Sequence, residues 1–267
     1  MPEALQSSID ARIAAATAAL DLDAIERTYR DQDEFVFIEK ALPASLTNEL
    51  VREYERLPRS AVHRSWVPAS RQAGTVGYGA IVRHAPLMNA VYRSPAMLGL
   101  SRRLAGKDLV LKSSKDEHAC ALYAYDRPGD SIGYHYVTCG CELGASYAVI
   151  IGLVNRSRVR FVAELYKRTG SQPVRYVEHE TPPGSMLLFC GDNVWHATSP
   201  IRRGEERVVM CLSYVKRGKH IKGIRRLTEN LRDAVFYFGL PALLQRHELE
   251  SEHEDEHQHE EPQRGAR

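Results

Sequence analysis

Two histidines and an arginine, His135, His196 and Arg207, stand at places in the chain where chemistry can be built. His135 follows the turn Asp126-Arg127-Pro128-Gly129-Asp130 and lies in a short run from Ile132 to Val137. His196 comes after Ser185 to Cys190, a run entered through Pro182-Pro183-Gly184 and left through Gly191-Asp192. Arg207, eleven residues later, opens the apolar run that ends at Val215. Imidazole nitrogens brought together from two sequence-distant strands can bind Fe(II), and a buried guanidinium can clamp a carboxylate through paired, charge-assisted hydrogen bonds. A single histidine is more simply a satisfied core or surface residue; the ordered set of three carries the reading.

The elements that must position these groups follow from periodicity. Ile9, Ile13, Leu20 and Ile25 share one face of a helix expected over residues 9–30. Phe35 to Ile38 reads as a strand closed by Pro43, and Ser45 as the cap of a helix from Leu46 to Leu57 with Leu46, Leu50, Val51 and Tyr54 along its stripe. Residues 58–82 read as loop with a little strand, and 86–105 as helix with a break at Pro95. From Ala119 the pattern changes to short strands: 119–125, 132–137, 146–154, 160–166, 174–177, 185–190 and 207–215. Strands at that spacing indicate a sandwich or barrel, flanked here by helices in an α+β arrangement. A last helix is expected from Ile224 to Phe238, and the acidic, His-bearing stretch 247–267 is expected to be disordered. The expected units are therefore an N-terminal helix (1–33), a main domain (34–240, core 117–216) and the tail.

Composition is that of an ordinary soluble globular chain, with 43% hydrophobic and 26% charged residues. No run reaches the ~20 apolar residues of a membrane span, so no membrane partner is expected. Five scattered cysteines without a Cys-x-x-Cys pair suit a reducing compartment, and a start without a signal-peptide pattern fits a cytoplasmic location. The formal charge of +2 divides into −6 for residues 247–267 and +8 for the remainder. The basic residues of that remainder, including Arg102, Arg103 and Lys107, are dispersed, so they read as a solvated face and no nucleic-acid partner is expected. His247, His253, His257 and His259 read as part of a solubilising tail, Trp195 as core packing and Asp192 as a turn residue.

The segments quoted above resemble the Fe(II)/2-oxoglutarate-dependent oxygenases, particularly the prolyl 4-hydroxylase-like branch. The likeness runs through residues 125–136, 183–189, 195–200 and 204–209, and the opening strand-Pro-helix at 34–57 is also similar. The resemblance implies a double-stranded β-helix of the jelly-roll or cupin-like kind. It implies that His135 and His196 bind iron, that Arg207 holds the distal carboxylate of 2-oxoglutarate, and that Tyr123 or Tyr125 donates a hydroxyl to that cosubstrate. Fe(II), 2-oxoglutarate and dioxygen would then oxidise an unactivated C–H of a small molecule. Arg71 and Trp66, with Arg64, are candidates to meet an acid group of that substrate, such as an amino-acid carboxylate.

The family pattern is His-x-Asp or His-x-Glu; this chain has His135-Tyr136-Val137. Residues two apart in a strand face one side, so Val137 stands at the carboxylate's place and cannot ligate. Three readings stay open. Chloride fills the position, as in the related radical halogenases, and the segment 135–165 is similar to those acting on free amino acids. Cys139, Cys141 or Glu142 supplies a substitute ligand. Otherwise the site is degenerate and the fold serves as a ligand-binding or regulatory module.

Overall fold

Periodicity predicts one helix over residues 9–30; the computed structural model, which describes residues 3–64, 71–137, 143–219 and Phe238, has two. Helix α1 (Glu3–Ala18) and helix α2 (Leu22–Asp31) are separated at Asp21, whose carboxylate accepts the Ala24 N–H at 3.0 Å and caps α2. Strand β1 (Phe35–Ile38) leads to α3 (Ala44–Glu55). The cap expected at Ser45 is absent: Pro43 occupies the N-cap without a side-chain bond, and the Ser45 hydroxyl accepts from Arg12 of α1 instead. A 3₁₀ turn (Arg59–Ala61), β2 (Arg71–Gln72), β3 (Gly74–Val76) and α4 (Tyr78–His84) fill the stretch expected to be mainly loop. Helices α5 (Pro86–Arg93) and α6 (Pro95–Ala105) meet at the expected break, where Ser94 caps α6 and Asp10 of α1 accepts the Ala96 N–H at 2.7 Å. That second cap is a tertiary contact, which local patterning cannot announce.

Nine strands follow: β4 (Leu109–Leu111), β5 (Cys120–Tyr125), β6 (Ser131–His135), β7 (Ser146–Arg156), β8 (Phe161–Leu165), β9 (Arg175–His179), β10 (Met186–Cys190), β11 (Trp195–Thr198) and β12 (Glu206–Lys216). The two shortest of these, β4 and β11, have no counterpart among the expected strands. They form two antiparallel sheets, β1-β10-β7-β12-β5-β3 with β4 also on β12, and β2-β6-β11-β8-β9. This is a double-stranded β-helix core with helices added.

Alternation sorts each central strand into two rows. On β12, Val208, Met210, Leu212 and Tyr214 join the core beneath the helices, together with Ile9, Ile13 and Tyr29. Val209, with Tyr123, Tyr125, Phe161, Leu187 and Phe189, fills the space between the sheets. A strand covered on both faces has no polar side to show, which is why β7 and β10 read as unbroken apolar runs. The α1 and α2 side chains in the first core make the N-terminal helices part of the body. Among the described residues no helix is long and apolar enough to cross a membrane. The helix expected over 224–238 (Phe238 excepted) and the tail 247–267 lie outside the described residues.

His179, at the end of β9, stacks on Phe37 with ring centroids 4.6 Å apart, and burial pushes its pKa down; burial does the same to His63. The folded pKa then lies below the unfolded value of ~6.5. As pH falls through ~6.5 the unfolded chain takes up protons that the folded chain refuses, so stability is lost until pH reaches the folded values. The urea midpoint is expected to be lower at pH 5.5 than at pH 7.5, with a smaller difference in His179→Gln. Equal midpoints in the parent protein would refute this.

Candidate active site

The two histidines meet across a sheet pairing. His196 on β11 is the register partner of His135 on β6, and their ring centroids lie 4.3 Å apart. What brings His135 inward is a bulge. Between the pairs His196–His135 and Thr198–Ile132, β6 advances three residues while β11 advances two. Ile132 already faces the inner core, so strict alternation would bury Tyr134 and turn His135 outward. The extra residue reverses that order. Tyr134 lies on the outer face, stacked 5.9 Å from Trp195 and hydrogen-bonded to exposed Tyr176. Trp195 is thus not core: it is half-buried on this outer face, with Lys167 over its ring.

Each imidazole is held by the carbonyl two residues before it. His135 Nδ1 lies 2.8 Å from Gly133 O, and His196 Nδ1 lies 3.0 Å from Val194 O. A carbonyl only accepts, so each Nδ1 carries a proton, and in the neutral ring Nε2 is then the nitrogen that can ligate. This is the orientation that outer-sphere bonds impose on metal-bound histidine. Phe161 and Phe189 pack on His196 at 5.2 and 4.8 Å and fix its ring. The pair therefore fits an Fe(II)-type ion through two nitrogens. Among the described residues no third His, Cys, Asp or Glu completes a metal-holding group. Cys139, Cys141 and Glu142 lie outside the described residues.

Val137 is seated on the turn between β10 and β11. Its N–H donates to Gly191 O at 2.9 Å, and a Cβ at Gly191 would lie 2.8 Å from the Val137 Cβ. Glycine is required there for the two chains to approach. The same turn holds the start of β7, because buried Asp192 accepts the Ala145 and Ser146 N–H groups at 3.1 and 2.9 Å. Asp192 thus lies in the turn as expected, but its carboxylate is also a long-range anchor, and burial raises its pKa. Asn193 in this turn is tied to Glu34, just before β1.

Arg207 points into the space between the sheets and is 1% exposed. Its Nε donates to Thr181 Oγ1 at 2.9 Å, and its guanidinium lies 5.0 Å from the Tyr125 ring. Nη1 has no hydrogen-bond partner among the described residues. Burial pulls the Arg207 pKa down, opposed by Tyr125 and Cys211 and by no carboxylate. An isolated buried cation is costly, on the order of several kcal/mol, and an incoming carboxylate would relieve that cost. The dicarboxylate cosubstrate fits this feature.

Of the two tyrosines singled out, Tyr125 pairs with Arg207 in register, whereas the Tyr123 hydroxyl lies 3.0 Å from His118 Nδ1. Arg64 does not await a substrate. It grips Asp130 at 2.9 and 3.0 Å and bonds Asp126 as well, bracing the turn before β6. The Arg71 backbone pairs with Ile132 at the edge of the small sheet; its side chain and the whole of Trp66 lie outside the described residues. Sequence reasoning missed Thr181. It also missed Gly152, although an isolated glycine inside the run Ile150-Ile151-Gly152-Leu153 signals a close backbone approach.

A family model described as Halogenase D matches residues 18–143, a little under half of the chain. That match includes His135 and Val137 and ends before His196 and Arg207. No curated protein is significantly similar in sequence. Among solved structures, the chain is similar to the non-heme alpha-ketoglutarate-dependent epimerase SnoN from nogalamycin biosynthesis. The TM-score is 0.64 at 16% identity, covering 77% of this chain and 88% of that one. A prolyl hydroxylase from Trichoplax adhaerens gives 0.56 at 13% identity, covering 73% and 89%. EctD from S. alaskensis, solved with 2-oxoglutarate and 5-hydroxyectoine, gives 0.54 at 12% identity, covering 74% and 77%. At these identities the likeness is one of fold.

Proposed function

We propose, on the premise that the fold is that of the iron- and 2-oxoglutarate-dependent oxygenase superfamily, that this chain oxidises an unactivated C–H of a small molecule using a two-histidine iron site. The observation that carries the reading is Arg207, a fully buried cation whose Nη1 has no hydrogen-bond partner among the described residues. His135 and His196 would hold Fe(II), and Arg207 would hold the distal carboxylate of 2-oxoglutarate beside Tyr125. When bound, iron and 2-oxoglutarate supply the oxygen activation; dioxygen is the co-reactant. The protein's own part is geometric. Gly133 O and Val194 O hold the two rings through Nδ1, Phe161 and Phe189 pack on His196, and Val137 withholds a carboxylate.

That withheld carboxylate selects the reaction. With two protein ligands and a chelating 2-oxoacid, one more coordination position is open than in the usual facial triad. We assign it to an exogenous anion, chloride above all, which makes the reaction a halogenation; the Halogenase D match across His135 and Val137 supports this, and the likeness of residues 135–165 to halogenases of free amino acids makes such an amino acid the proposed substrate. Anaerobic titration of Fe(II) and 2-oxoglutarate, with and without chloride, tests the assignment through the visible charge-transfer band. The expected result is a band that chloride shifts. A band indifferent to chloride would replace halogenation by hydroxylation, with water or a residue of 138–142 at that position. No band at all would leave a ligand-binding module.

A further inference from the structure

We infer that Thr181, seated against Gly152, is the positioning residue that aims Arg207 and so sets the preference for a 2-oxoacid bearing a second carboxylate. The inference rests on the reading of Arg207 as the 2-oxoglutarate anchor.

A guanidinium is a planar fork with five N–H donors, and it grips a carboxylate well only when its plane and edge are set beforehand. In this chain the setting comes from Thr181, with Tyr125 beside it. Arg207 Nε donates to Thr181 Oγ1 at 2.9 Å, and Thr181 is itself buried at 1% exposure. With Nε committed, rotation about the end of the side chain is restrained, and the Nη1 that lacks a partner is left to receive a ligand. The Tyr125 ring, in register across the β5–β12 pairing, limits the plane from another side.

Thr181 belongs to the connection between β9 and β10, not to a strand, so something must bring it down onto the sheet. Gly152 does so. On β7 the inward row runs Ala148, Ile150, Gly152, and at the third position there is no side chain. A Cβ there would lie 2.5 Å from Thr181 O and 2.3 Å from Pro182 O, distances no real side chain tolerates. The notch is locked by Gly152 N–H to Ser185 O at 3.0 Å and Gly184 N–H to Gly152 O at 2.9 Å. The sheet therefore carries the acceptor for Arg207 on a segment that docks in a glycine gap. A threonine needed only for packing would not require its hydroxyl to face the buried Arg207 guanidinium.

The test is calorimetric titration of the full chain loaded with Mn(II), using 2-oxoglutarate and 2-oxobutyrate as probes. The two share the 2-oxoacid head, but only the first reaches Arg207 with a second carboxylate. Thr181→Val, which keeps the shape and removes the acceptor, is expected to weaken 2-oxoglutarate by roughly tenfold, the low end for a hydrogen bond to a charged group. It is expected to leave 2-oxobutyrate unchanged, and Thr181→Ser is expected to restore the parent value. Should Thr181→Val not fold, Thr181→Ala serves, with the same selective loss expected. Equal loss for both probes, or undiminished preference for 2-oxoglutarate, would overturn the inference while leaving Arg207 as the anchor. A parent protein that binds 2-oxoglutarate no better than 2-oxobutyrate would instead overturn the anchor reading, and this inference with it.

Discussion

Replacing Val137 by Asp is expected to raise the affinity for Fe(II), or for Co(II) as its air-stable stand-in, by at least about tenfold, since even an outer-sphere partner of a metal ligand is worth ~10- to 100-fold. The backbone at 137 is already pinned, with its N–H on Gly191 O at 2.9 Å and its Cβ over the glycine. The substitution therefore changes the side chain without asking the chain to move. A carboxylate two residues after His135 would complete the His-x-Asp pattern and compete with chloride for the same position. Two results are expected together in the anaerobic titration: tighter metal binding and loss of the chloride-dependent shift. Unchanged affinity with the shift retained would show that position 137 does not address the metal, and that the open position belongs elsewhere.

Arg207→Met should separate binding from stability. The parent side chain carries a charge 1% exposed whose Nη1 has no hydrogen-bond partner among the described residues, so the protein without cosubstrate bears its desolvation. A straight apolar side chain of similar length removes that cost, as apolar replacement of buried charge often does without loss of stability. The same change removes the partner of the distal carboxylate, and truncating one member of a buried charged pair costs about 2–5 kcal/mol. The urea midpoint of Arg207→Met is thus expected to match or exceed the parent's, while the Kd for 2-oxoglutarate rises at least ~30-fold. At a cosubstrate concentration 100 times the parent Kd, the parent should gain ~2.7 kcal/mol of stability and the variant no more than about 0.9 kcal/mol. If 2-oxoglutarate stabilises both proteins equally, Arg207 is not its anchor.

Much of this molecule is written locally. Double-sided burial leaves its mark as unbroken apolar runs, which is why β7 and β10 were legible as strands. Pro86, Ser94 and Pro95 announce helix starts because the missing N–H of proline and the hydroxyl of serine act within one turn. The order His135, His196, Arg207 was legible too, because residue type and strand spacing are properties of the chain alone.

What the chain alone could not decide is which way those groups face and what touches them. A single bulge in β6 reverses the side-chain alternation, and it exists only as a mismatch between two strands 61 positions apart at His135 and His196. Four-residue β11 has too few positions for a period to show; its pairing with β6 and β8 defines it. Arg64 was a candidate for a substrate acid because an arginine advertises charge, but its partners Asp126 and Asp130 are supplied by another segment folded against it. Thr181 has no motif, since its meaning comes from the glycine gap at residue 152 and the buried cation it meets there. Sequence by itself determined the chemistry on offer, two imidazoles, a guanidinium and a missing carboxylate. Tertiary structure decided their aim, because direction and desolvation arise only when distant segments close around the same few atoms.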